Sequence, residues 1–163
     1  MEKKNREGTV CAACGGRMVR QAYEHIEKVG KYKVKDATAF ALRCVNEKCG
    51  EVELSLAELA GYQRRAAAVV LREAPEVDGA VMKYARRALG MKQVDLAACI
   101  GCQPETLSRY ETGTQVPRAV QLAVVAVLDG VEQAGGIEVY LEDKDGRASR
   151  TFEVPPPKRS ACE

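Results

Sequence analysis

Residues 11–16 read Cys-Ala-Ala-Cys-Gly-Gly, and residues 44–50 read Cys-Val-Asn-Glu-Lys-Cys-Gly. The cysteines form two pairs, Cys11-x2-Cys14 and Cys44-x4-Cys49. Thiolate pairs at such spacings, brought together by an intervening hairpin, meet the need of a tetrahedral Zn²⁺ ion for four soft ligands. Gly15, Gly16 and Gly50 follow the pairs. A chain that bends back to aim N–H groups at a thiolate needs positive φ, which glycine adopts cheaply. Each half therefore reads as a zinc knuckle, with Cys11, Cys14, Cys44 and Cys49 as the ligands of one structural ion. The alternative is two buried cysteine pairs or two disulfides, and the x4 spacing of the second pair is looser than the commonest x2.

The totals agree with a staple. The chain has 163 residues, room for one compact domain or two small ones. Its 7 cysteines are an odd number, so a complete disulfide framework within one chain is impossible. With no tryptophan and only 2 phenylalanines, a small N-terminal unit buries little surface, and a four-thiolate site would supply what the core lacks. The start is charged, and no stretch reaches the ~18 apolar residues of a membrane span. The expected location is cytoplasmic, where thiols stay reduced. Net charge is +2, and no block of like charge reads as a nucleic-acid arm.

Periodicity predicts an α+β fold in four parts. Residues 8–55 form a small β-rich four-cysteine zinc domain, with a strand from Met18 to Val29, a turn at Gly30, a partner strand Lys31 to Val34 and a third strand Ala39 to Cys44. Residues 56–78 form a connecting helix and linker. Ser55-Leu-Ala-Glu58 is a capping box that opens the helix, and Pro75 closes it. Residues 79–132 carry four short helical stretches, punctuated by Gly90, Gly101 and Gly113 and opened by Pro104 and Pro117. The last stretch is apolar on nearly all sides, so it is either buried or at a dimer seam. Residues 133–163 hold a β-hairpin, alternating over 137–154 around Asp143-Lys-Asp-Gly146, and a disordered polar end.

A helix–Gly–helix unit of this size presents its second central helix to the major groove of DNA. That helix runs from Pro104 to Glu111, with Leu107 and Tyr110 inward and Gln103, Glu105, Thr106 and Arg109 outward. Those side chains match base edges: Arg to guanine, Gln to adenine, Glu to the cytosine amino group. Gln93, at the start of the preceding helix, suits a phosphate contact. A plain four-helix bundle with a solvated polar face is the competing reading.

Gln93-x2-Leu-Ala97, Gly101, Leu107-Ser-Arg-Tyr-Glu111-x-Gly113 and Pro117 resemble the phage-repressor-like class of helix-turn-helix. A cysteine-pair unit, a helix and then this motif resemble the MqsA antitoxin family with its YgiT-type zinc finger, over about residues 8–130. The resemblance implies a zinc domain that binds a ribonuclease toxin. It also implies a helix-turn-helix domain that dimerises, binds palindromic operator DNA and represses its own operon. Cys11, Cys14, Cys44 and Cys49 match the metal ligands of the family, and Arg109 matches a base-reading arginine. Glu105 falls where the family has asparagine, so a different operator sequence is implied. A stand-alone zinc-stapled regulator without a toxin is the alternative, and an adaptor with no DNA role is a third reading.

The remaining candidates read as structural. Cys99 and Cys102 form another CxxC, open to redox or metal chemistry, but Cys102 sits where this class buries a small apolar residue and Cys99 ends the preceding helix, places where free cysteine packs well, so both read as core. His25 is the only histidine and lies mid-strand, and Cys162 lies in the tail. Four thiolates leave a metal no open position for water, and one histidine builds no catalytic triad, so an enzyme is not expected.

Overall fold

The computed structural model describes residues 9–37, 39–113 and 115–131, and the backbone of residues 137–142 and 148–154. The fold is α+β. Five strands, β1 (Met18–Ala22), β2 (His25–Val29), β3 (Tyr32–Asp36), β4 (Phe40–Cys44) and β5 (Val52–Glu53), precede five helices. The helices are α1 (Leu56–Glu73), α2 (Gly79–Ala88), α3 (Gln93–Cys99), α4 (Pro104–Thr112) and α5 (Arg118–Val131). Strands β6 (Ile137–Glu142) and β7 (Ala148–Val154) follow. The expected turn at Asp143–Gly146, the expected disordered end and Cys162 lie outside the described residues.

The single strand expected from Met18 to Val29 is two strands in different sheets. β1 pairs antiparallel with β4, from Met18 opposite Cys44 to Ala22 opposite Phe40, and β5 extends that sheet. The chain leaves this ladder at Tyr23, whose N–H donates to Ala39 O at 2.8 Å, and starts a second ladder at His25. The break has a packing cause. β1 faces the cysteine cluster with Met18, whereas β2 and β3 turn Val29, Tyr32 and Val34 onto the helices. One straight strand cannot serve two cores. The C-terminal hairpin joins the second sheet, in the order β2-β3-β6-β7, with Lys33 opposite Glu142 and Asp36 opposite Val139.

Ser55 and Glu58 form the expected box: the Ser55 side chain takes the Glu58 N–H, and the Glu58 carboxylate takes the Ser55 N–H. The apolar stripe of α1 then buries Tyr62, Ala66, Val69 and Val70. These side chains meet the helices of the 79–131 segment as well as β2 and β3, so one core joins Val34, Leu71, Met82, Leu96, Leu107 and Leu128. From α5, Arg118 donates to the Leu71 and Arg72 carbonyls at the free end of α1, and Arg72 pairs with Asp129. α5 is one-sided: Gln121, Val124, Val125 and Leu128 are buried, while Leu122 and Val131 are exposed.

α2 meets α4 at a contact only glycine permits. A Cβ on Gly79 would lie 2.4 Å from both the carbonyl carbon and oxygen of Glu111. Gly79 N–H also donates to Gly113 O at 2.9 Å. Gly79→Ala is therefore expected to force the two helices apart and to destabilise the fold by about 1–3 kcal/mol or more. The shift of the urea unfolding midpoint measures this, and an unchanged midpoint would contradict the contact.

Candidate metal centre and nucleic-acid interface

The four sulfur atoms of Cys11, Cys14, Cys44 and Cys49 lie within 4.8 Å of one another. The two knuckles interdigitate: Cys11 Sγ is 3.8 Å from Cys49 Sγ, and Cys14 Sγ is 3.5 Å from Cys44 Sγ. A tetrahedron with metal–sulfur arms of ~2.3 Å has an edge of about 3.8 Å, so these separations fit a common ion at the centre. They are far beyond a sulfur–sulfur bond of ~2.05 Å, so the disulfide alternative fails for these four cysteines.

Local chemistry builds each knuckle. The N–H groups of Gly16, Asn46 and Glu51 hydrogen-bond the sulfurs of Cys14, Cys44 and Cys49, each two residues upstream. Gly15 and Gly50 supply the reversals with φ of 73° and 66°. Gly16 serves differently from the expectation: it takes no positive φ, but its Cβ would stand 3.1 Å from Cys44 Sγ and 3.3 Å from Cys14 Sγ. It is small because sulfur occupies the space. Only Cys11, Met18 and Cys44 form the buried cluster here, with Leu42 and Cys49 against it.

Without a cation Cys14, Cys44 and Cys49 compete for charge. The Gly16 N–H, followed by hydrogen bonds from Cys44 and Cys49, brings Cys14 down to about 7. For Cys49 the Glu51 N–H is the strongest single influence and pulls down. The hydrogen bond with Cys14, burial and the neighbouring Cys11 together outweigh it and push the thiol up to about 12. The Cys14 thiolate is favoured, and those of Cys44 and Cys49 are discouraged. A divalent cation removes this conflict, and its binding releases protons. His25 stands apart from the cluster: its Nε2 is 2.9 Å from Glu27 Oε2, and its ring lies 5.1 Å from that of Tyr62.

In the helical segment, α3 ends in a Schellman turn. Cys102 N–H donates to Ala97 O and Gly101 N–H to Ala98 O, with Gly101 at φ 71°. The turn hands the chain to α4, whose first residue is Pro104. Leu107 is fully buried and Tyr110 packs half-buried against the core. Gln103, Glu105 and Arg109 are exposed on α4, and Thr106 is half-buried. Gln103, the cap residue of α4, makes no side-chain cap hydrogen bond. The CxxC splits. Cys102 packs against the core as expected, but Cys99 is exposed. Residue 99 lies about 100° round the helix from the Leu96, Ala97 and Ile100 face, so the core reading of Cys99 is corrected.

Gln93 is drawn into a network the sequence did not reveal. Its Nε2 donates to Glu111 Oε2 at 2.9 Å. Arg86 grips the same carboxylate with two bonds, Nε to Oε1 at 2.5 Å and Nη2 to Oε2 at 3.0 Å. Burial is the largest single influence on Glu111 and pushes it up. Hydrogen bonds from Arg86 and Gln93, with the charges of Arg86 and Lys83, outweigh it and hold the carboxyl below the usual range. Lys83, Arg86, Lys92, Gln93, Glu111 and Thr112 line an open cleft beside α4. The usable sequence signal was Glu111 itself, an acid one position beyond an inward-facing Tyr110, which demands a cation when buried.

Among the described residues, no helix is long and apolar enough to cross a membrane. No curated protein matches the chain. Residues 79–134, which hold α2–α5, match the family model described as a helix-turn-helix domain.

Proposed function

We propose that this chain is a DNA-binding antitoxin and autorepressor. In this reading the four cysteines hold one structural Zn²⁺, and the zinc unit neutralises a ribonuclease-like toxin. The helix-turn-helix, as a homodimer in the cytoplasm, holds operator DNA. Gln93, Gln103, Glu105, Thr106 and Arg109 contact the DNA, and no step requires turnover. The observation that carries the reading is the pairing, in one chain, of a close four-thiol cluster with a helix-turn-helix whose second helix exposes Gln103, Glu105 and Arg109.

Zinc fits the donor set. Four thiolates form the closed shell of structural sites, in which the ion links distant chain segments and supplies folding energy. The residues' own share is to present sulfur at the right separation and to donate three N–H groups to it.

Co-expression with the neighbouring gene tests the partner. Stoichiometric co-elution that depends on residues 8–55 is the expected result. No co-elution, with specific binding to the chain's own promoter, would replace the antitoxin by a stand-alone regulator. Arg109→Ala tests the DNA face: specific affinity is expected to fall by about 1–3 kcal/mol, roughly fivefold to 150-fold, with an unchanged melting temperature. Unaltered affinity would remove Arg109 from the interface.

A further inference from the structure

The β2–β3 hairpin is spliced into the cysteine-bearing sheet. β1 ends at Ala22 opposite Phe40, the first residue of β4, and the hairpin is the excursion between them. The other end of the same ladder, Met18 opposite Cys44, lies at the thiol cluster. Four thiols thus close one end of a ladder whose other end clamps both legs of the hairpin.

The hairpin packs away from the cysteines. Val29, Tyr32 and Val34 share a core with Val81, Met82, Leu96 and Leu107. Its tip meets the start of α2. A Cβ on Gly30, at φ 59°, would lie 2.9 Å from Val81 Cγ2 and 3.6 Å from Asp78 Oδ1. That Asp78 oxygen caps α2 by accepting the Val81 N–H at 3.1 Å. Tyr32 donates its hydroxyl to Glu76 O at 2.7 Å, and Lys31 Nζ pairs with the Glu76 carboxylate at 2.5 Å. The tip therefore holds both the segment entering α2 and its first turn. The first residue of α2, Gly79, is the one seated against Glu111 at the end of α4. A parallel tie runs through α1, where the Tyr62 hydroxyl donates to Phe40 O at 2.8 Å and accepts the Phe40 N–H at 2.9 Å.

We propose that metal occupancy of the four thiols sets the DNA affinity of the helix-turn-helix, through the hairpin that seats α2 against α4. The inference rests on the DNA-binding reading. Without the ion, the cluster around Met18 is too small to hold the β1–β4 ladder. The hairpin legs then lose their clamp, and the first turn of α2 loses its cover. Coupling between two binding sites is reciprocal, so DNA must tighten metal by the factor by which metal tightens DNA.

The test uses the full chain, zinc-loaded and zinc-stripped, and a duplex of the DNA upstream of its own gene. Duplex affinity is measured in both states, and zinc affinity is measured by chelator competition with and without duplex. Stripping is expected to weaken duplex binding by about tenfold or more, and duplex to tighten zinc by the same factor, with helical circular dichroism retained. The double variant Lys31→Ala with Tyr32→Phe keeps every thiol and every α4 side chain, and is expected to shrink the factor in both directions. Equal duplex affinity in the two states overturns this inference alone. Collapse of the helical signal on stripping also overturns it, because global unfolding would replace a transmitted change. Absence of specific duplex binding in either state overturns the DNA-binding reading, and this inference with it.

Discussion

Cys44→Ser is expected to abolish stoichiometric zinc binding and to release the β1–β4 ladder while the helices persist. Cys44 is buried, belongs to both the ladder and the sulfur cluster, and sits opposite Met18. Structural zinc contributes about 10–16 kcal/mol of apparent binding energy in small finger peptides at neutral pH. The buried cluster here, Cys11, Met18 and Cys44, offers little to replace it. The helical core around Leu71, Met82, Leu96, Leu107 and Leu128 needs no metal to remain apolar and packed. Metal content after gel filtration should fall from one equivalent to none. Amide exchange should lose protection in Met18–Ala22 and Phe40–Cys44 while α1 and α5 keep theirs. Because the ligating thiols must lose protons to bind, zinc affinity should also weaken as pH falls. One retained equivalent of zinc in Cys44→Ser would contradict the site.

Glu111→Gln is expected to destabilise the helix-turn-helix by about 3–5 kcal/mol, the usual cost of removing one partner from a buried ion pair. The Glu111 side chain is 3% exposed and that of Arg86 14%, so the guanidinium would be left charged with little water to compensate. Replacing both, with Arg86→Met and Glu111→Leu, should recover much of the loss, since an apolar pair leaves no stranded charge. The pH dependence has a definite sign. The folded carboxyl is held below its ordinary value of 4.5. Its contribution is therefore complete above that value and disappears as pH falls through the lower folded one. Urea midpoints at neutral and acid pH measure this. The wild-type chain should lose stability on acidification, and Glu111→Gln should lose less. Equal acid sensitivity in the two proteins would remove the pair from the account.

These two sites differ in how visible they are in the sequence. The knuckles are local: each places thiols, a turn and N–H donors within about seven residues, so spacing alone brings out the geometry. Ser55 and Glu58 are legible for the same reason, and so are Gly101 and Pro104 around the central turn. Arg86 and Glu111 lie 25 positions apart, and nothing near Arg86 marks it as the partner of Glu111. The bond from Gln93 to Glu111 spans 18 positions and is hidden in the same way. The break at Tyr23–Glu24 was illegible because each half is a good strand by itself, and only the two competing cores decide that they part. The pairing of Lys33 with Glu142 joins segments separated by the whole helical region, and alternation within each strand carries no information about its neighbour. The end of a helix does not by itself say which way Cys99 faces: Cys102 packs against the core, whereas Cys99 is exposed.

The most direct test of the central claim is footprinting of zinc-loaded protein on the DNA upstream of its own gene. The account predicts protection of two half-sites related by a two-fold axis and spaced about one helical turn, ~34–36 Å, or a multiple of it. Arg109→Ala at equal folded concentration should lose that protection. Uniform protection without preferred sites, or an Arg109→Ala footprint identical to that of the wild-type chain, would contradict the claim that this helix-turn-helix reads an operator.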